Sequence, residues 1–403
     1  MPVGLTAPEH LTPIAGIRLA TAAAGVRYAD RKDVVLIELA VGSQCAATFT
    51  RNAFCAAPVT IARKHLGEEH TRYLLINSGN ANAGTGQKGL EAALSTCAAV
   101  GATTGAATSA VLPFSTGVIG QLLPAAKINA VLPVLVANLQ EDSWLAAANA
   151  IMTTDTLPKG ISVQVEIGGQ AVQITGISKG SGMIRPDMAT MLAYVATDAD
   201  IDAVILQQLL TDSVERSFNS ITVDGDTSTN DACVLMATGK SRVHISKGEP
   251  LDIFRRALDK VMVGLAQAII RDGEGATKFI TLRVSNAGSV EEAREVAFTV
   301  AHSPLVKTAL FASDANWGRI LAAIGRAPVK NLDVSRVDIA VGGVSIVESG
   351  EPAPTYAEEL GAAAFAKTDI DIHITLNCGV SEAVVWTTDL SHDYVSINAD
   401  YRS

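Results

Sequence analysis

Three observations predict an α/β or α+β fold. Apolar runs of strand length alternate with stretches of helical periodicity, Gly- and Asn-rich turns stand between them, and no fixed-period repeat or low-complexity tract breaks the order. A chain of 403 residues exceeds the usual single domain and can bury one large or two coupled cores. Charged residues are sparse at 18% and apolar residues reach 48%, which places the chain among globular rather than disordered sequences. A net charge of −10 argues against a nucleic-acid partner, because a binder of the phosphate backbone needs a basic stripe. Anionic ligands would then be met by local Lys or Arg.

Taken in order, residues 33–41 and 73–77 read as strands, and the Ala-rich stretch 90–100 reads as a helix. Asn77-Ser78-Gly79-Asn80-Ala81-Asn82-Ala83 follows a strand end with turn formers, which fits either a turn or a ligand-contact loop. Ser115-Thr116-Gly117-Val118 pairs a hydroxyl with a Gly N–H; taken alone it is a common turn, and it also has the groups of an oxyanion hole. Helices are expected over 124–139 and 144–152. A hairpin is expected over 161–167 and 171–174, joined by Gly168-Gly169-Gln170, which delivers the chain to Lys179. Beyond residue 190 come a strand, a helix over 202–218, and strands at 221–223 and 232–236. Phe254, Leu258, Val261, Met262, Leu265 and Ile269 then mark a long amphipathic helix. A Gly-flanked acid, Glu274, separates that helix from the strand 279–284, and can be a solvated cap or a ligand group. A helix over 290–300, a segment over 314–326 and alternating strands complete the chain.

Several functions lose support on spacing. Cys45, Cys55, Cys97, Cys233 and Cys378 are scattered and odd in number, so buried thiols in a reducing compartment are expected. The N-terminus has no basic and apolar regions of a signal peptide, and no apolar run approaches the ~20 residues of a spanning helix, so cytoplasmic residence and no membrane partner are expected. The seven histidines show no metal spacing and no catalytic triad context. Asp224, Asp226, Ser228 and Asn230 mimic the start of a calcium loop, but Leu235 replaces its final glutamate and Thr229 its glycine. Gly176-Ile177-Ser178-Lys179-Gly180 matches a nucleophile elbow in letters only, because Gly180, Gly182 and Pro186 forbid the helix that must follow. Phosphate-loop and nucleotide motifs are absent.

The chemistry centres on Lys179-Gly180-Ser181-Gly182-Met183-Ile184-Arg185-Pro186-Asp187-Met188-Ala189-Thr190-Met191-Leu192, a Gly-rich loop feeding an apolar strand. If the chain is cut between Ala189 and Thr190, Thr190 carries a hydroxyl and a free α-amine that serves as its base. This stretch resembles the self-cleavage segment of the ornithine acetyltransferases of arginine biosynthesis, the glutamate N-acetyltransferase family. Four further passages share the resemblance: 115–120, 152–156, 222–231 and 313–319.

The resemblance implies a layered αββα core like that of N-terminal-nucleophile hydrolases, built from two chains of one precursor. An α chain, 1–189, would carry the oxyanion donors Thr116 and Gly117. A β chain, 190–403, would begin with the nucleophile Thr190, and two copies of each would form a heterotetramer. The implied reaction moves an acetyl group from N2-acetylornithine to L-glutamate, releasing ornithine, with no cofactor and with acetyl-CoA as a second donor in some members. Thr153, Lys179, Thr190, Glu274, Asn398 and Ser403 are implied substrate-binding residues. Two other readings remain open at this point: an N-terminal-nucleophile amidase or aminopeptidase using the same Thr190, and a non-enzymatic binding protein.

Overall fold

The run Val34-Val35-Leu36-Ile37 forms a strand whose side chains point alternately to two buried faces, which is why it lacks a polar alternation. Val35 and Ile37 join one core, whereas Val34 and Leu36 join another. Tyr73–Asn80 behaves in the same way, with Leu74 and Ile76 on one side and Tyr73 and Leu75 on the other. The computed structural model describes residues 2–185, 191–330 and 332–399. It divides into two units. The larger comprises Thr6–Asn219 and Asp226–Ile269; the smaller comprises the residues up to Leu5, Ser220–Gly225 and the chain from Ile270 onward.

In the larger unit, strands Ile17–Ala22, Val34–Leu39, Tyr73–Asn80 and Val111–Val118 form a four-stranded sheet in that order. A five-stranded sheet runs Gln44–Phe49, Ala232–Ala237, Leu192–Thr197, Gln170–Lys179, Lys159–Ile167. Leu74, Ile76 and Phe114 of the first sheet share a core with Ile177, Leu192, Tyr194 and Val234 of the second. Phe114 meets the Tyr194 ring edge-on at 5.4 Å between centroids. The outer face of the first sheet is covered by Gly86–Thr104 and Ala125–Ala137, which contribute Ala93, Cys97, Val100, Ile128 and Leu132. On the outer face of the second lies Glu249–Arg271, and a Cβ at Gly176 would sit only 2.9 Å from Leu265 Cδ1. The layers are therefore helix, sheet, sheet, helix, as the resemblance implies.

Gln170–Lys179 pairs antiparallel with Leu192–Thr197, Lys179 lying opposite Leu192. Both flanks of the Ala189–Thr190 junction thus belong to one sheet of one unit. A cut there leaves two fragments joined by strand pairing and by a shared apolar core.

The smaller unit has a seven-stranded sheet ordered Ile221–Thr222, Ser381–Thr388, Phe279–Ala287, Asp369–Thr375, Asp338–Val341, Val344–Glu348, Glu351–Pro352. Its strands alternate more conventionally. Ile280, Leu282 and Val284 enter a core with Ile370, Ile372 and Ile374, together with Val296 and Val300 of helix Val290–Ala301. The opposite face is polar, with Arg283 Nε donating to Asp371 Oδ2 at 2.8 Å.

Candidate active site

The parallel strands Tyr73–Asn80 and Val111–Val118 set Ser78 opposite Thr116 and Gly79 opposite Gly117, and then the register shifts at Asn80. Thr116-Gly117 is therefore strand and not the turn its composition alone implies. Both glycines have positive φ, +98° at Gly79 and +133° at Gly117. A Cβ on Gly117 would fall 2.3 Å from the Gly79 carbonyl carbon, so only glycine lets the two backbones pass. Amide side chains fix this crossing. Asn77 Nδ2 donates to the Asn80 carbonyl at 2.9 Å, and Ser115 Oγ donates to Asn77 Oδ1 at 2.6 Å. Asn230 Nδ2 donates to the carbonyls of Ala81 at 2.6 Å and Ser115 at 2.9 Å. The asparagines that look like turn formers in sequence are used to satisfy backbone groups around Thr116 and Gly117.

Lys179 is the last residue of its strand and is buried, with its Nζ donating to Thr116 Oγ1 at 3.2 Å. An ammonium has only donors, so Thr116 Oγ accepts here and keeps its own proton for donation. That is the polarity an oxyanion donor needs.

Behind Lys179 stands Asp155, a residue the sequence marks only as part of a motif. Its Oδ1 accepts from Gly180 N at 2.7 Å and from Lys159 Nζ at 2.7 Å, and its Oδ2 accepts from Thr153 N at 3.0 Å. Burial alone would push this carboxyl upward, but Lys159, Lys179 and the Gly180 N–H outweigh it and hold Asp155 well below the usual carboxylate range. One ionised acid thereby ties Thr153 to the Gly180 backbone beside Lys179. The Arg31 guanidinium completes the arrangement by donating to the carbonyls of Met152 and Thr153.

Across the expected junction, Met191 is held at both ends of its residue. Its N–H donates to Asp231 Oδ1 at 2.9 Å, and its carbonyl accepts from Ala232 N at 3.2 Å. Ala189, Thr190 and Ser403 lie outside the described residues.

The remaining implied residues meet in the smaller unit. Glu274 sits, buried, in the turn between Glu249–Arg271 and Phe279–Ala287, and its Oε2 accepts from Asn398 Nδ2 at 2.9 Å. Gly275 makes this approach feasible, since a Cβ there would lie 2.4 Å from Tyr394 N at the start of helix His392–Ala399. Asp389 fixes the other side of the turn, its Oδ1 accepting from Thr277 N at 2.8 Å and Lys278 N at 2.9 Å. Glu274 is thus a buried carboxylate with an amide partner and not a solvated cap.

The decoys resolve as structure. Ser178 lies within the Gln170–Lys179 strand and not at a strand-to-helix elbow. The Asp224 carboxylate accepts from Tyr394 Oη at 3.3 Å. His65 Nδ1 bonds the Val111 carbonyl at 2.8 Å, and His302 Nε2 bonds Thr222 Oγ1 at 3.0 Å. Among the described residues no helix is long and apolar enough to cross a membrane.

The profile of the ArgJ family matches residues 18–403. An arginine biosynthesis bifunctional protein ArgJ from Pseudomonas syringae pv. tomato is 53% identical over 406 residues, covering 100% of both chains. A protein of the same name from Methylococcus capsulatus is 57% identical over 396 residues, covering 98% of this chain and 97% of that one. Among solved structures, an ArgJ bifunctional protein from Bacillus halodurans matches at 40% identity and a TM-score of 0.49, over 51% of this chain and 97% of that chain. An ornithine acetyltransferase from Mycobacterium tuberculosis, complexed with ornithine, matches at 32% identity and a TM-score of 0.38, over 43% of this chain and 93% of that chain.

Proposed function

We propose, from the premise that this chain belongs to the ArgJ family, that it is a self-cleaving acetyltransferase of arginine biosynthesis with Thr190 as nucleophile. It moves the acetyl group of N2-acetylornithine to L-glutamate. The observation that carries this reading is the Lys179 Nζ to Thr116 Oγ1 contact of 3.2 Å. It leaves the Thr116 hydroxyl beside Gly117 as a donor, at the end of the strand that leads to Thr190.

In the precursor, Thr190 Oγ bonds to the Ala189 carbonyl carbon, the bond from that carbon to the Thr190 nitrogen breaks, and the hydroxyl proton passes to the departing amine. Water then hydrolyses the ester, which leaves a carboxylate on fragment 1–189 and a free amine and hydroxyl on fragment 190–403. In the mature enzyme the Thr190 amine takes the hydroxyl proton as Oγ attacks the acetyl carbon, and ornithine leaves with that proton. The glutamate amine then attacks the acetyl-threonine ester, and the hydroxyl is restored. Both acceptors are α-amino acids, which suits a ping-pong exchange at one site. Every tetrahedral intermediate places negative charge on oxygen, so the Thr116 hydroxyl and Gly117 N–H serve all steps.

Charge assigns the binding roles, with Lys179 to the α-carboxylate and Glu274 to the ammonium, and with Thr153, Asn398 and Ser403 as further contacts. Acetyl-CoA as a second donor fits the word bifunctional in the relatives' names. A cytoplasmic assembly of two α and two β chains completes the proposal.

Thr116→Ala is expected to slow both precursor cleavage and acetyl transfer by about 10²-fold, as loss of one oxyanion donor does. A Thr116→Ala protein that matures and turns over at wild-type rates would remove Thr116 from both roles. Assays with and without glutamate separate transfer from the hydrolysis that an amidase would perform.

A further inference from the structure

Asp231 is buried at 1% exposure immediately before the Ala232–Ala237 strand, which runs parallel to Leu192–Thr197. Its Oδ1 accepts the Met191 N–H at 2.9 Å. Its Oδ2 is enclosed and has no hydrogen-bond partner among the described residues. Two hydroxyls lie beside the carboxyl: the Thr50 hydroxyl donates to the Ser228 carbonyl at 2.7 Å, whereas Ser228 Oγ accepts from Asn230 N at 3.1 Å and keeps its own proton to donate. The Met191 amide nitrogen is bonded covalently to the carbonyl carbon of Thr190, so whatever fixes Met191 N fixes the peptide plane that begins at the proposed nucleophile.

We propose that Asp231 is a positioning residue for the chemistry at Thr190, clamping the Met191 amide through Oδ1. This rests on the reading of Thr190 as nucleophile and adds to it a second-strand clamp, independent of the oxyanion donors. One N–H with the neighbouring hydroxyls is a sparse donor set for a carboxylate, which has about four acceptor positions to fill. Burial pushes the carboxyl well above its usual range, and the Met191 N–H, the Lys179 charge and the Ser228 and Thr50 hydroxyls offset this only in part. Its surroundings therefore favour the uncharged acid over the carboxylate. Lys179, Met191 N, Ser228 and Thr50 are the groups that face it. Ionising it would place a second negative charge near Lys179 with one hydrogen bond to support it, and would disturb the clamp as pH rises.

The test follows cleavage of full-length precursor, made by cell-free synthesis, for wild type, Asp231→Ala and Asp231→Asn across pH, with intact mass as the readout. Asparagine keeps an uncharged side chain with a carbonyl oxygen in the Oδ1 position. Asp231→Asn is expected to cleave within about threefold of wild type, whereas Asp231→Ala slows by about 10²-fold through misplacement of the nucleophile. The wild-type rate is expected to fall on the alkaline side, and this fall is expected to be absent in Asp231→Asn. No free Thr190 amine exists in the precursor to supply that limb. Equal impairment of the Asn and Ala variants would overturn the proposal, as would wild-type cleavage by Asp231→Ala. If Asp231→Ala does not fold, the Asn pH profile decides: retention of the alkaline fall in Asp231→Asn overturns it. Thr190→Ala is the control for the underlying reading, since a Thr190→Ala precursor that still cleaves refutes the nucleophile and with it the role given to Asp231, whereas failure of the Asp231 variants alone overturns only the clamp.

Discussion

Asp155 and Asp231 lie in the same unit, are both buried and both feel the charge of Lys179, yet their acidities shift in opposite directions. Asp155 receives an ammonium and two backbone N–H groups, and stays ionised. Asp231 receives one N–H through Oδ1, has no partner at Oδ2 among the described residues, and is pushed well above the usual carboxylate range. Depth alone therefore does not set the direction of the shift in a buried acid; the cations and donors aimed at it do. Asp155 serves as a charged tie beneath Thr153 and Gly180, and Asp231 as a clamp on Met191.

The largest effect that probes this contrast is on folding. Asp155→Ala leaves Lys159 buried without its carboxylate and is expected to cost about 3–5 kcal/mol in denaturant unfolding. The double variant Asp155→Leu with Lys159→Met is expected to recover much of that loss, because both charges leave together. If the single variant is as stable as wild type, the tie between the two side chains is not what holds this corner.

Lys179→Ala removes the cation that both acids share. It is expected to cost roughly 1.5–3 kcal/mol in kcat/KM for both acetylornithine and glutamate if Lys179 meets the substrate carboxylate, with a much smaller change in unfolding free energy. Unchanged kinetics in a folded variant would assign Lys179 to structure alone.

The smallest effects are in the pH dependence of stability, where the two acids have opposite signs. Asp155 is depressed in the folded state, so its contribution is present above the unfolded value of about 3.9 and is lost as pH falls toward its lower folded value. Asparagine at position 155 removes that acid-side slope. Asp231 is raised, so its contribution is present below about 3.9 and is lost as pH climbs toward its higher folded value. Asp231→Asn is therefore expected to be at least as stable as wild type at pH 8, and a clear loss of melting temperature there would show that Asp231 is ionised.

Much of the fold is legible in the sequence because its strands are buried on both faces and its helices are amphipathic. The runs at 34–39 and 73–77 and the helical spacing of Phe254 to Ile269 match the elements found. Gln44–Phe49 and Ala57–Glu68 are not marked by pattern: the first is an edge strand of mixed polarity, and the second carries its apolar residues in a weak stripe. The site is legible in a different way. Thr116, Gly117, Lys179 and Glu274 stand out through the motifs they belong to, yet alone Thr116-Gly117 looks like a turn, because the parallel partner that makes Gly117 obligatory is a distant strand. Asp155 and Asp231 carry no sequence signal for their opposite states, since these arise from donors supplied by Lys159, Gly180 and Met191 after folding.

In the proposed function Thr190 becomes an N-terminal nucleophile and carries the acetyl group. Intact mass of the purified enzyme, before and after N2-acetylornithine and again after L-glutamate, tests it most directly. The expected result is two fragments, 1–189 and 190–403, with one acetyl group appearing on the second at Thr190 and leaving as N-acetylglutamate when glutamate is added. An active enzyme that runs only as the uncut chain, or that transfers acetyl without ever carrying it on Thr190, would contradict the account.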